Sequence, residues 1–124
     1  MHLLFFTLFL WGFLAGQRLE DQLYFDHYSD VDGLSQVSVN SIVQDQKGFL
    51  WFGTQNGLNR FDGLEFRVFK KISGDTSSLS HNLVSALFCD SKNRIWVGTV
   101  VGTISVYEYQ SNSFRQIGFV SLKP

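Results

Sequence analysis

The chain has 124 residues, a formal charge of −1 and no basic block longer than Lys70-Lys71. That length holds one small domain, and the near-neutral balance excludes a nucleic-acid-binding face, which needs clustered Lys and Arg. A composition that is 44% hydrophobic, with one proline, three Trp, four Tyr and thirteen Phe, is that of a folded protein.

From Leu3 to Ala15 the run LLFFTLFLWGFLA carries no charge. It is too short to cross a bilayer as a helix, which takes about 20 residues. It suits the apolar core of a secretory leader, with Ala15 and Gly16 at the cleavage point, although only His2 stands where a Lys or Arg is usual. The expectation is a signal peptide over residues 1–16 and no membrane span in the mature segment. The acids between Glu20 and Asp32 are scattered among apolar residues and read as a solvated face. Asp30-Val-Asp32-Gly33 invites a calcium loop, but with Gly33 at the sixth position the first and twelfth are Tyr28 and Val39, both wrong ligands. A turn before Leu34 is expected instead.

Shifting the sequence by 45 lays residues 34–57 on 79–102. Leu34/Leu79, Ser35/Ser80, Val39/Val84, Asp45/Asp90, Lys47/Lys92, Trp51/Trp96, Gly53/Gly98, Thr54/Thr99 and Gly57/Gly102 are then identical. Background composition would supply about one or two such matches, so the chain is internally duplicated. After Gly102 the second copy gains one residue, Thr103, so that Leu58 corresponds to Ile104 and Phe61 to Tyr107.

Each copy reads as four short strands. Residues 39–44 are β-rich, and Asp45-Gln-Lys-Gly48 turns the chain: Asp bonds its own backbone two residues on, and Gly48 supplies a left-handed position. Asn93 stands there in the second copy, the other residue that tolerates positive φ. Strands follow at 49–54, 58–62 and 65–70, and in the second copy at 95–99, 104–108 and 114–117. Gln55-Asn-Gly57 and Ser111-Asn112 provide turns, and residues 73–80 (SGDTSSLS) form a polar connection. Trp51 and Trp96 lie in the repeated strand beside Gly53 and Gly98; packing is expected of them rather than a sugar-stacking platform.

Four strands per unit at this period indicate β-propeller blades. DGLSQVSVNSIVQDQKGFLWFGTQNGLNRFDG with FRVF, and SLSHNLVSALFCDSKNRIWVGT, resemble the two-component regulator propeller repeat of the periplasmic sensor region of hybrid two-component histidine kinases in Gram-negative gut bacteria. The second copy departs from that pattern where SVYE replaces NRFD and Thr103 is inserted. The resemblance implies an all-β fold: two four-stranded antiparallel blades, a partial propeller, after the signal peptide. The expected division is an N-terminal segment over 17–35, blade one over 36–72, an inter-blade loop over 73–80, blade two over 81–118 and an end segment over 119–124. LYFDHYSDVDGLS resembles the opening of such sensors, in which residues 23–28 form a ring-closing strand against a blade absent here.

A ring takes four to eight blades, and two leave bare apolar faces. The chain is therefore expected to be the amino-terminal piece of a larger periplasmic sensor, whose partners are further blades and an oligosaccharide, with self-association as the consequence of isolation. A truncated product without independent activity, or part of a propeller glycan enzyme, is the alternative. No enzyme activity is expected, because the kinase region of such sensors is not encoded in this chain and the acids have turn or edge roles. No catalytic, cofactor or metal site is nominated. Cys89 is the one cysteine and reads as a half-buried strand thiol; His2, His27 and His81 lack metal-ligand spacing. The ligand-binding residues are left open. The repeat positions Asp45, Gly48, Trp51, Gly53, Thr54, Gly57, Asp90, Asn93, Trp96, Gly98, Thr99 and Gly102 are structural.

Overall fold

The computed structural model describes residues 24–119, which hold eight strands in two sheets. β1 (Val39–Gln44), β2 (Leu50–Thr54), β3 (Gly57–Phe61) and β4 (Phe66–Phe69) form the first; β5 (Val84–Cys89), β6 (Ile95–Thr99), β7 (Thr103–Glu108) and β8 (Ser113–Phe119) form the second. Both are antiparallel meanders in sequence order. The expected blade strands are all present, with ends displaced by at most two residues. The expected signal peptide at 1–16, and Leu23 of the ring-closing strand, lie outside the described residues. Tyr24–Tyr28 join no ladder. A strand needs a hydrogen-bonded neighbour, and among the described residues this segment has none.

The duplication extends to irregularities that leave no mark in composition. Register shifts between Val39 and Ser41 in β1, and again between Val84 and Ala86 in β5, so a bulge recurs at the repeat spacing. Gly48 (φ 89°) and Asn93 (φ 58°) both take the left-handed conformation. Asp30–Asp32 is a 3-10 turn in which an Asp32 carboxylate oxygen accepts the Ser29 amide at 2.8 Å, and Gly33 ends it.

The core lies between the sheets. Trp51 and Leu58 of the first sheet meet Val84, Ile95, Val97, Tyr107 and Phe114 of the second. Trp51 stacks on Phe69 and packs against Tyr107, their ring centroids 5.7 and 5.0 Å away. The inter-blade connection is more than a linker: Leu79 is buried in this core, Ser78 Oγ accepts the Ile72 amide and donates to the Asp75 carbonyl, and the Ser77 carbonyl accepts the Phe114 amide. Polar composition hid that role, since the Ser78 hydroxyl satisfies backbone groups of the loop rather than water.

The Thr103 insertion has a structural consequence. In the first blade buried Asn59 braces the chain before β1, its Oδ1 accepting the Ser35 amide at 2.9 Å and its Nδ2 donating to Ser35 Oγ at 2.7 Å. The corresponding Ser105 is too short to reach, and its buried hydroxyl has no partner. Thr103 takes over: its Oγ1 lies 2.8 Å from Ser80 Oγ and 2.6 Å from Thr99 Oγ1.

Candidate functional site

Three turns meet at one end of the blade pair: those after β1, after β5 and after β7. In the first, Asp45 Oδ1 accepts the amides of Lys47 and Phe49 at 2.9 and 3.0 Å, while Oδ2 accepts Trp51 Nε1 at 2.8 Å. Tyr109, from the turn after β7, donates its hydroxyl to the same Oδ2. One buried carboxylate thus fixes its own turn, the core tryptophan and the neighbouring blade.

Asp90 repeats the arrangement within its blade, accepting the amides of Lys92 and Arg94, both at 2.9 Å, and Trp96 Nε1 at 3.0 Å. The place of Tyr109 is taken by Arg94 Nε at 2.7 Å. Trp96 donation, followed by the Arg94 donors and the Lys92 amide, holds the Asp90 carboxyl well below the usual carboxylate range. Because its folded pKa lies below its unfolded one, the unfolded chain takes up that proton first as pH falls. The stability Asp90 supplies is complete above about pH 4 and is lost progressively below it. Asp90→Asn should therefore flatten the acid limb of stability between about pH 4 and 2, read from urea midpoints at successive pH values. An unchanged acid slope would refute this.

The turns are also tied across the blade boundary. The Gln46 amide donates to Asn93 Oδ1 at 2.8 Å, and Gln46 Nε2 donates to the Ser91 carbonyl at 2.9 Å. Further along the boundary, Asn40 Nδ2 donates to the Val84 carbonyl at 2.8 Å, the Leu87 amide donates to Ser41 Oγ at 3.1 Å, and the Gly57 amide donates to the Asn82 carbonyl at 2.6 Å. Between the turns is an open cleft of about 440 Å³ lined by Lys47, Lys92, Asn93, Arg94, Glu108, Tyr109 and Gln110. Tyr109's hydroxyl is pushed far up, first by burial and then by its bond to Asp45, so it stays a donor. The Cys89 thiol is likewise pushed up by burial, then by Asp45 and Asp90, the opposite of what a nucleophile needs.

The second notable surface is the face of the second blade turned away from the first. Trp51 is 0% exposed, but its repeat mate Trp96 is half-exposed. Val43 packs against the core, whereas its mate Phe88 is 63% exposed. An ideal Cβ on Gly53 would stand 2.6 Å from Val84 Cγ1, while one on Gly98 finds nothing nearer than 3.7 Å. Ala86, Leu87, Phe88, Trp96, Val97, Gly98 and Ile104 line a shallow apolar depression there. On the outer face of the first blade Ile42 is 59% exposed, while its mate Leu87 is half-buried.

Residues 33–56 and 78–100 match the family model described as "Two component regulator propeller". The matched segments, one in each sheet, carry the two-component regulator propeller repeat. A histidine kinase, P4, from Formosa agariphila is 40% identical over 77 residues, spanning 60% of this chain and 6% of that protein. The extracellular domain of what is described as a hybrid two component system of B. thetaiotaomicron superposes with a TM-score of 0.69 at 31% identity, covering 80% of this chain and 14% of that one. A second such domain from that organism gives 0.55 at 31% identity, covering 70% of this chain and 12% of that one. The chain thus spans a small part of the relatives it matches.

Within the propeller repeat the positions singled out by the duplication divide into three jobs. Asp45, Asp90, Gly48 and Asn93 make the turns. Thr54 and Thr99 are buried and close the β2–β3 and β6–β7 connections, Thr54 Oγ1 donating to the Gly57 carbonyl at 2.9 Å. Gly57 (φ 120°) leaves no room for a Cβ, which would stand 2.9 Å from the Phe69 carbonyl oxygen; Gly102 (φ 83°) holds the matching turn. Trp51 and Gly53 lie on the blade-to-blade contact face, and Trp96 and Gly98 hold the matching positions on the uncovered face of the second blade. Tyr109 and Gln46 carry as much of the junction as these. They escaped the sequence reading because their repeat mates differ, and only the fold brings them to Asp45 and Asn93. No helix among the described residues is long and apolar enough to cross a membrane.

Proposed function

We propose that this chain supplies two consecutive blades of a periplasmic ligand-sensing propeller, exported through its N-terminal signal peptide and closed into a ring by further blades. The ligand is a glycan breakdown product, an oligosaccharide, whose binding is passed across the membrane to a histidine kinase region carried elsewhere in the sensor. The chain is a signalling module and not a catalyst. The observation that carries this reading is the inequality of repeat mates: Trp51 is fully buried against the next blade and Val43 packs on the shared core, while Trp96 is only half-buried and Phe88 is exposed. Apolar patches of this kind on a soluble protein are partner surfaces. The extracellular setting of the structural relatives supports the compartment.

The segment after the leader should associate at micromolar concentration in sedimentation velocity, and an extension carrying the remaining repeats should run as a monomer. A compact, two-state monomer of the short segment at all concentrations would refute the incomplete-ring reading. The bare faces equally suit a second reading, a truncated product with no independent activity; saccharide binding by the chain separates the two.

A further inference from the structure

We infer that the cleft where the three turns meet binds the acidic group of an anionic saccharide, a carboxylate- or sulfate-bearing one, through Lys47 and Lys92. This rests on the glycan-sensing reading above and specifies both the ligand's chemistry and a place for it. The repeat puts one lysine from each blade on the same cleft, and the cross-tie from the Gln46 amide to Asn93 Oδ1 fixes the spacing of the two turns. The carboxylates nearby are already committed. Both Asp45 oxygens are filled by the Lys47, Phe49, Trp51 and Tyr109 donors. Asp90 is held by Arg94 at 2.7 Å, and Glu108 Oε1 accepts Arg115 Nε and Nη2 at 3.1 and 3.0 Å.

Among the described residues neither lysine ammonium pairs with a carboxylate, and Lys47 Nζ is drawn instead over the Tyr109 ring, 4.2 Å from its centroid. The cleft therefore offers two uncompensated ammonium groups on a chain whose overall charge is −1. An ammonium is a three-donor point charge suited to a carboxylate or sulfate oxygen, whereas a neutral sugar would leave both charges unanswered. At about 440 Å³ the space falls within the range of small-ligand sites and takes a disaccharide rather than a lone ion.

Calorimetric titration of the full chain with a sulfated disaccharide, a uronic-acid disaccharide, a neutral disaccharide and inorganic sulfate tests this. One or both acidic disaccharides should bind, more weakly as salt rises, while the neutral disaccharide should not. Lys47→Gln and Lys92→Gln should each weaken binding about tenfold, the worth of one charge-assisted contact. Both lysines are exposed, so the thermal midpoint of each variant should match that of the parent. Acidic-disaccharide binding indifferent to both substitutions would overturn the assignment of the cleft. Neutral-disaccharide binding in its place would overturn the anionic chemistry and leave the glycan reading standing. Lysine-dependent binding of inorganic sulfate alone would overturn the saccharide claim and count against the glycan reading as well. Binding of none of the four would overturn the site.

Discussion

Trp51→Ala is expected to destabilise the chain by about 3–5 kcal/mol, and Trp96→Ala by about 1 kcal/mol, although the two are repeat mates. Trp51 has no exposed surface and packs on Phe69, Tyr107 and Tyr109. Its removal leaves a cavity between two sheets that are pinned at both ends and cannot collapse into it. It also removes one of the two donors to the buried Asp45 Oδ2, which leaves the Tyr109 hydroxyl alone on that oxygen and adds to the loss. Trp96 keeps the same bond to Asp90, but its ring is half-exposed beneath the Arg94 guanidinium, which sits 5.7 Å from the ring centroid. Less surface returns to water on its removal, and solvent fills the space. Since a small domain is stable by about 5–15 kcal/mol, the first substitution takes a large share of the total. Urea midpoints of the two variants measure the difference. Equal losses would mean that the second blade's outer face is covered after all, and a near-neutral Trp51→Ala would return that ring to the role of an exposed platform.

The architecture was legible because it is written twice. Nine identities at a spacing of 45 reveal a unit, and four β-rich runs separated by turn residues reveal its form. The Asp45 and Asp90 turns were legible for the same reason, since Asp and a left-handed Gly or Asn are local chemistry. What sequence reasoning lost is what the two copies do differently. Tyr109 reaches Asp45 from 64 positions away, and the second copy answers the same need with Arg94, four residues from Asp90. Neither substitution resembles the other as a letter. The brace made by Asn59 passes to the inserted Thr103 while Ser105 is orphaned, an exchange between strand positions that a matched column cannot register. The lysine cleft was equally hidden. Lys47 and Lys92 stand out as a matched pair, but only the Gln46–Asn93 contact shows that their turns lie side by side. The same principle explains the unequal tryptophans: burial belongs to the neighbour a residue acquires, and only one of the two mates has that neighbour in this chain.

Glycine at the matched strand position gives the sharpest measure of that missing neighbour. Gly53→Ala should cost about 1–3 kcal/mol, the usual penalty for overpacking, because the new methyl would stand 2.6 Å from Val84 Cγ1 and 3.3 Å from Val84 Cβ. Val84 is fully buried and β-branched, so it has little rotamer freedom with which to retreat. Relief must come from parting the blades, which strains the Asn40 and Ser41 hydrogen bonds along the same boundary. Gly98→Ala meets nothing closer than Ala86 Cβ at 3.7 Å, an ordinary contact, and lies outside the positive-φ region. It should be neutral or stabilising by up to about 1 kcal/mol, since alanine has less backbone freedom to lose on folding. In a longer chain, where a third blade would set its own valine-equivalent against Gly98, the alanine should become as costly as it is at Gly53. Thermal unfolding of both variants, in the short chain and in one extended by further repeats, reads out the change of sign. If Gly98→Ala stays harmless in the extended chain, no blade covers that face and the ring does not continue from it.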